Sequence, residues 1–190
     1  LMYWRQMMNK GKFIVISGPS GVGKDTICEK LIKRGNGIYS VSMTTREKRS
    51  GEIDGVDYFF VNKEVFEKNI KDDYFLEYAI YNGNYYGTPT KFIVDNINRG
   101  INVFAILEVN GFTNVKKIFG DAITIFIMPP SFEELERRLR GRKSDDSEII
   151  NERLNIAKEE IKYKDKYDYI VINSTVDKAV LEIENIINNC

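Results

Sequence analysis

Unbroken apolar runs alternate with helical repeats along most of this chain. Residues 13–16 (Phe-Ile-Val-Ile) form a continuous β-branched and aromatic run of the kind buried on both faces of a parallel sheet. After a glycine-rich turn, Ile27, Leu31 and Ile32 recur at helical spacing. The alternation returns beyond residue 89. Residues 90–98 predict a helix with Phe92, Ile93 and Ile97 on one side, 103–109 a second buried strand, and 123–127 a third, stopped by Pro129-Pro130. Ser131 can cap the next helix, over 132–142, with Glu134 completing a capping box. A polar run over 144–148 leads into a long helix ending at 162, residues 169–172 predict the last strand and 176–187 the closing helix.

The middle of the chain has a different rhythm. Residues 38–43, 56–61 and 75–79 read as short strands and 64–70 as a short helix. Asn82-Gly83-Asn84 then makes a hairpin turn into Tyr85-Tyr86-Gly87-Thr88-Pro89. The expected fold is therefore α/β: a parallel-sheet core flanked by helices, made of residues 12–40, 89–131 and 163–190. A mixed antiparallel lobe is inserted over 41–88, and a helical lid spans 132–162. Residues 1–11 read as a leader, with Met7 or Met8 as alternative starts.

The glycine-rich turn is where chemistry enters. Gly18, Gly21 and Gly23 let the backbone turn its N–H groups inward. Lys24 opens the helix that follows, where the helix dipole already favours anions. A G-x-x-x-x-G-K string alone arises by chance in about one chain in twenty of this length, so the flanking strand and helix decide the matter. Ser20, Gly21, Val22, Gly23, Lys24, Asp25 and Thr26 become the candidate triphosphate cradle. The hydroxyl usual after the lysine is replaced by Asp25 and arrives one place later as Thr26, so both are candidate Mg²⁺ contacts, Asp25 directly or through water.

In a hydroxyl-rich loop, Arg46 and Arg49 stand three apart, which suits an oxyanion clamp as well as a solvated charged loop. Glu108 ends the 103–109 strand, where open α/β sheets deliver residues to their sites. The helix over 132–142 is rich in arginine and the one after it carries Arg153, a pattern that fits a solvated face or, beside a phosphate cradle, a lid.

Composition narrows the chemistry. The 190 residues carry 28 basic and 28 acidic side chains, a balance that argues against a nucleic-acid backbone as the main partner. No histidine is present, so imidazole bases, imidazole metal ligands and Ser-His triads are excluded. Cys28 and Cys190 show neither metal nor disulfide spacing, as expected for a reducing cytoplasm. No window approaches a membrane span.

Several motifs in register resemble the guanylate kinase family over residues 12–187: Gly-Pro-Ser-Gly-Val-Gly-Lys, Ser-Val-Ser followed by Thr-Thr-Arg, Asp-Gly-Val-Asp-Tyr-Phe-Phe, Phe-Leu-Glu-Tyr-Ala, Tyr-Gly-Thr and Pro-Pro-Ser. The resemblance implies phosphoryl transfer from ATP to GMP with Mg²⁺, the inserted lobe holding GMP and the arginine-rich helices forming the lid. It implies that Arg46, Arg49, Tyr58 and Tyr86 hold the GMP phosphate and that Ser42, Glu77 and Thr88 read the guanine. Lys24, Arg46, Arg142 and Arg153 would act on the transferring phosphoryl, and Asn173 would lie at the adenine.

The family's acid-x-acid pattern before Gln-Gly stands here as Leu107-Glu108-Val109-Asn110-Gly111. Counting from the strand makes Glu108 the first acid, which also matches Asn102 and Leu107. Counting back from Gly111 makes it the second. ATP and GMP, with dGMP as a further acceptor, are the expected partners; no nucleic acid, membrane or obligatory protein partner is expected. Two other functions fit the same motifs: a non-enzymatic phosphopeptide-binding module, which usually lacks the lysine kept here as Lys24, and a kinase for another nucleoside monophosphate.

Overall fold

The computed structural model describes residues 10–81, 83–109, 111–141 and 147–190. In chain order the first elements are β1 (Phe13–Ser17), α1 (Lys24–Lys33), β2 (Ile38–Tyr39), β3 (Met43–Thr44), β4 (Phe59–Phe60), α2 (Lys63–Lys71), β5 (Phe75–Tyr81), β6 (Asn84–Pro89) and α3 (Thr90–Asn98). Then follow β7 (Val103–Ile106), α4 (Phe112–Ile118), β8 (Ile123–Met128), α5 (Phe132–Arg140), α6 (Ser147–Ile161), a 3₁₀ turn (Lys164–Lys166), β9 (Tyr169–Ile172) and α7 (Val176–Asn189).

β1 lies at the centre of a five-stranded sheet of order β2-β7-β1-β8-β9, all of whose pairings are parallel. Its alternation supplies two cores at once, because successive side chains point to opposite faces. Ile14 and Ile16 pack with Ile27 and Leu31 of α1 and Val180 and Ile183 of α7. Phe13 and Val15 pack on the other face with Ile93 of α3 and Val115 of α4. This two-sided burial is why the run contains no polar residue before Ser17.

The arginine-rich helices are rooted in the first of these cores. Leu135 and Leu139 of α5 and Ile150, Leu154 and Ala157 of α6 belong to the cluster around Ile14 and Ile16. Their apolar stripes face the sheet.

A second sheet, of order β4-β3-β6-β5, forms the inserted lobe. β3 pairs parallel with β4 and antiparallel with β6, which pairs antiparallel with β5, so the sheet is mixed. Its small core is Met43, Phe66 and Phe75, with the Phe66 and Phe75 rings stacked at 4.4 Å. Gly87 is required beneath them: a Cβ there would stand 2.8 Å from Phe75 Cδ1 and 3.0 Å from Phe66 Cζ.

Several expected boundaries move, each for a local reason. The strand expected over 38–43 is two strands in different sheets. Ser40 N–H donates to Phe104 O at 2.7 Å in the core sheet, and two residues later Ser42 O accepts from Phe59 N–H at 2.9 Å in the lobe. The 56–61 strand shrinks to Phe59–Phe60 because the chain before it is a turn, where Asp57 accepts from Ile53 N–H and Asp54 from Phe60 N–H. The 103–109 strand ends at Ile106, which places Glu108 in the loop beyond it. α4 was not expected, because its seven residues give too few turns to show a period. The lid helix expected over 132–142 ends at Arg140, and the expected Arg142 lies outside the described residues.

Phe66 is fully buried and central to the smaller core. Phe66→Ala is expected to cost about 3–5 kcal/mol, measured by denaturant unfolding; a loss under about 1 kcal/mol would mean that the lobe is not held by this cluster.

Candidate active site

The cradle forms where β1 hands over to α1. Gly23, with φ 96°, caps α1 in the left-handed region, and no side chain satisfies the first N–H groups of the helix. Those donors are left for an anion. Asn173, 2% exposed at the end of β9, donates from Nδ2 to Val22 O at 2.8 Å and so fixes the loop's height. Arg138 of α5 closes the same edge by donating to Asn173 O at 3.0 Å.

Lys24 Nζ donates to the carbonyl oxygens of Gly18 and Pro19, the latter at 3.1 Å. Burial pushes its ammonium below the ordinary lysine range, while the carboxylates of Glu160, Asp25 and Glu108 push back. Asp25 and Thr26, in the first turn of α1, are exposed. A pocket of 310 Å³ opens over the loop, lined by Gly18, Ser20 and Lys24 on one side and by Leu107, Glu108 and Glu160 on the other.

A larger cleft of 790 Å³ lies between the core sheet and the lobe. Ser42, Tyr58, Glu77, Tyr86 and Glu108 all line it. The Thr88 hydroxyl, buried on β6, donates to Glu77 Oε1 at 2.6 Å. Burial raises the Glu77 carboxyl above its ordinary range; the Thr88 hydrogen bond opposes that and the Glu108 charge adds to it.

At the outer end of the cleft, Arg46 lies 5.5 Å from the Tyr58 ring centroid and 5.7 Å from that of Phe60. The Tyr58 and Tyr86 rings meet edge to face at 6.0 Å. Glu52 grips the Arg46 guanidinium with both oxygens, at 2.6 and 3.1 Å, and also accepts from the Arg49 backbone N–H at 2.7 Å. The Glu52 hydrogen bond, the largest cause, raises the Arg46 pKa further, and Tyr86 contributes to it. Arg49 is exposed at the rim.

The chosen residues therefore fall into two groups that meet. Ile106, Leu107 and Glu108 line both pockets. Arg153 lies on α6, half-buried.

Four further residues join them without having been singled out. Glu52 stands six residues after Arg46, an acid in a basic loop that could have been read as its partner. Glu160 and Arg138 are hidden in charge-dense helices whose sequence shows only a polar face. Tyr39 lines the cleft with its ring partly exposed, and burial near Cys28 and Asp25 raises its hydroxyl pKa. Cys28 itself is buried, with its thiol pushed up to about 12, and so is no nucleophile.

A family model described as guanylate kinase matches residues 10–190. The chain belongs to the guanylate kinase family. A curated guanylate kinase from Carboxydothermus hydrogenoformans is 48% identical over 181 residues, covering 95% of this chain and 89% of the relative. The crystal structure of guanylate kinase from Anaplasma phagocytophilum superposes with a TM-score of 0.71 at 33% identity, over 95% of this chain and 86% of that one. A protein from Eubacterium ventriosum shares only the fold, with a TM-score of 0.51 at 14% identity over 95% of this chain and all of its own. The expected α/β fold, with its parallel core and inserted mixed lobe, is the guanylate kinase fold.

Glu77 gives a stability test with a definite sign. A carboxyl whose folded pKa lies above its unfolded one takes stability away as the pH rises through that window. The penalty is absent below the unfolded value and complete above the folded value. Glu77→Gln removes the charge, so its thermal midpoint is expected to exceed the parent's near neutral pH and to match it below about pH 4. A lower midpoint at neutral pH would show that the carboxylate holds the fold together.

Proposed function

We propose that the chain transfers the γ-phosphoryl group of ATP to the phosphate of GMP, giving ADP and GDP. The observation that carries this is the wall shared by the two pockets, Ile106–Glu108, which brings a triphosphate cradle and a purine-sized cleft to one junction. In this reading residues 41–88 are the GMP lobe and 132–162 the lid over the core.

Guanine offers the N1–H and N2–H donors in parallel, and the Glu77 carboxylate can accept both while Thr88 occupies a further lone pair. Adenine would turn an acceptor toward the same oxygen. Ser42 and Glu108 complete the base site. Arg46, Arg49, Tyr58 and Tyr86 bind the phosphate, and a planar fork already steadied by Glu52 and two rings loses little freedom on doing so.

At the other pocket, the loop from Ser20 to Gly23 and the open end of α1 take the ATP phosphates, and Lys24 leaves the Gly18 and Pro19 carbonyls to meet them. Asn173 Oδ1 is buried without a hydrogen-bond partner among the described residues and suits the adenine amino group. Arg138, against the same residue, offers its plane to the base.

The acceptor phosphate is already anionic, with a second pKa of about 6, so no general base is required. Catalysis is alignment and charge neutralisation, by Lys24, Arg46, Arg142 and Arg153. Mg²⁺ fits the donor set: among the described residues no three acidic or sulfur side chains gather into a metal site, and Mg²⁺ ordinarily takes one or two carboxylates with substrate phosphates and water. Asp25, Thr26 and Glu108 would hold it beside Lys24, where it would neutralise charge on the phosphates. The described residues contain no helix long and apolar enough to cross a membrane, and both described cysteines are free, which supports action in the cytoplasm.

A coupled ADP-release assay with GMP, dGMP, AMP, CMP and UMP tests the proposal. GMP is expected to exceed AMP in kcat/KM by about 10⁴ or more, because a site built on hydrogen bonds rejects a base that leaves them unpaired. Lys24→Ala should lower turnover by at least about 10³ with an unchanged thermal midpoint. Comparable rates with GMP and AMP would overturn the substrate, and near-normal turnover in Lys24→Ala would overturn the cradle.

A further inference from the structure

We infer that Glu160 makes phosphate binding at Lys24 conditional on a divalent cation, so that the site accepts metal-complexed ATP and turns away free ATP. The inference rests on the cradle being the ATP site.

Glu160 belongs to α6, outside the phosphate-binding loop, yet it lines the 310 Å³ pocket above that loop together with Ser20, Lys24 and Glu108. Its Oε2 is buried and has no hydrogen-bond partner among the described residues. A buried carboxylate oxygen left unpaired is costly unless something arrives to meet it. Burial, joined by the Glu108 charge, raises the Glu160 carboxyl above its ordinary range, while Lys24 and the Ser20 N–H favour its charged form.

The balance of charge is what excludes the bare nucleotide. The pocket is lined by one ammonium, Lys24, and by two carboxylates, Glu108 and Glu160, so its charged side chains are in anionic surplus before any phosphate enters. Free ATP would add several negative charges to that surplus, at distances where like charges repel strongly. A divalent ion entering with the phosphates cancels two of those charges and turns a cation toward the carboxylates. Mg²⁺ keeps several waters, and a water of its shell can donate to the unpaired Glu160 oxygen. The described carboxylates do not form a metal site by themselves, so the ion comes with the nucleotide.

α6 also carries Arg153, seven residues earlier and hence two turns away on nearly the same face. Metal arrival at Glu160 and the approach of Arg153 to the phosphates are thereby tied to one rigid helix.

The test is calorimetric binding of ATP, without GMP, to the intact chain and to its Glu160→Gln and Glu160→Asp variants, each in excess Mg²⁺ and in EDTA. Glu160→Gln is expected to bind free ATP about tenfold tighter than the parent while its affinity for Mg-ATP changes little. The ratio of the two affinities then falls about tenfold, and Glu160→Asp keeps the parental ratio. A purely structural role would weaken both forms equally. An unchanged ratio in Glu160→Gln overturns the inference and leaves the ATP site standing; no ATP binding to the parent in either buffer overturns both.

Discussion

Like charges have to be held together in this molecule, and its architecture follows from that demand. Two phosphate groups a few ångströms apart repel by several kcal/mol per charge pair in a medium of intermediate dielectric, and the chain itself has no net charge with which to offset them. The compensation is therefore local. β1 and β7 are parallel neighbours, so their carboxyl ends lie side by side and deliver the phosphate loop and the Ile106–Glu108 wall to one place. The lobe supplies a second cationic point, Arg46, from across the cleft.

Each cationic point is matched by an internal acid. Glu52 holds the Arg46 fork beside the Tyr58 and Phe60 rings, and Glu108 and Glu160 line one pocket with Lys24. At Lys24, which is largely buried, the acids keep a positive charge from being buried unpaired. Glu77 is a related case, since burial raises its carboxyl and the Thr88 hydroxyl opposes that. In the proposed function the resulting loss of stability is accepted because a guanine edge needs the carboxylate there.

Much of this was legible in the residues. The run Phe-Ile-Val-Ile had to be a strand buried on both faces, and the lysine after the third glycine had to stand at a helix start. Both follow from local pattern, and both are seen. The family motifs point to Glu77 and Thr88 together, and the structure joins them by a hydrogen bond across two strands.

What stayed hidden is long-range or too short to show a period. Ser40–Ser42 carries the chain from one sheet to the other within what reads as a single strand, because the pairing partners, Phe104 and Phe59, lie far away in sequence. Seven-residue α4 shows no repeat. Glu160 and Arg138 sit among so many charged neighbours that only the packing of α5 and α6 on the sheet reveals which side chains turn inward. The two sheets are separate, but α5 and α6 share the main core with the first of them.

In the proposed function one carboxylate, Glu77, reads the base while the cradle does the chemistry. The measurement that tests it most directly is the ratio of kcat/KM for GMP to that for AMP, compared between the parent and Glu77→Gln. An amide replaces one acceptor by a donor, so the ratio should fall by about 10² or more through weaker GMP, with ATP binding unchanged. An identical ratio in the two proteins would contradict the account and move base recognition elsewhere in the cleft.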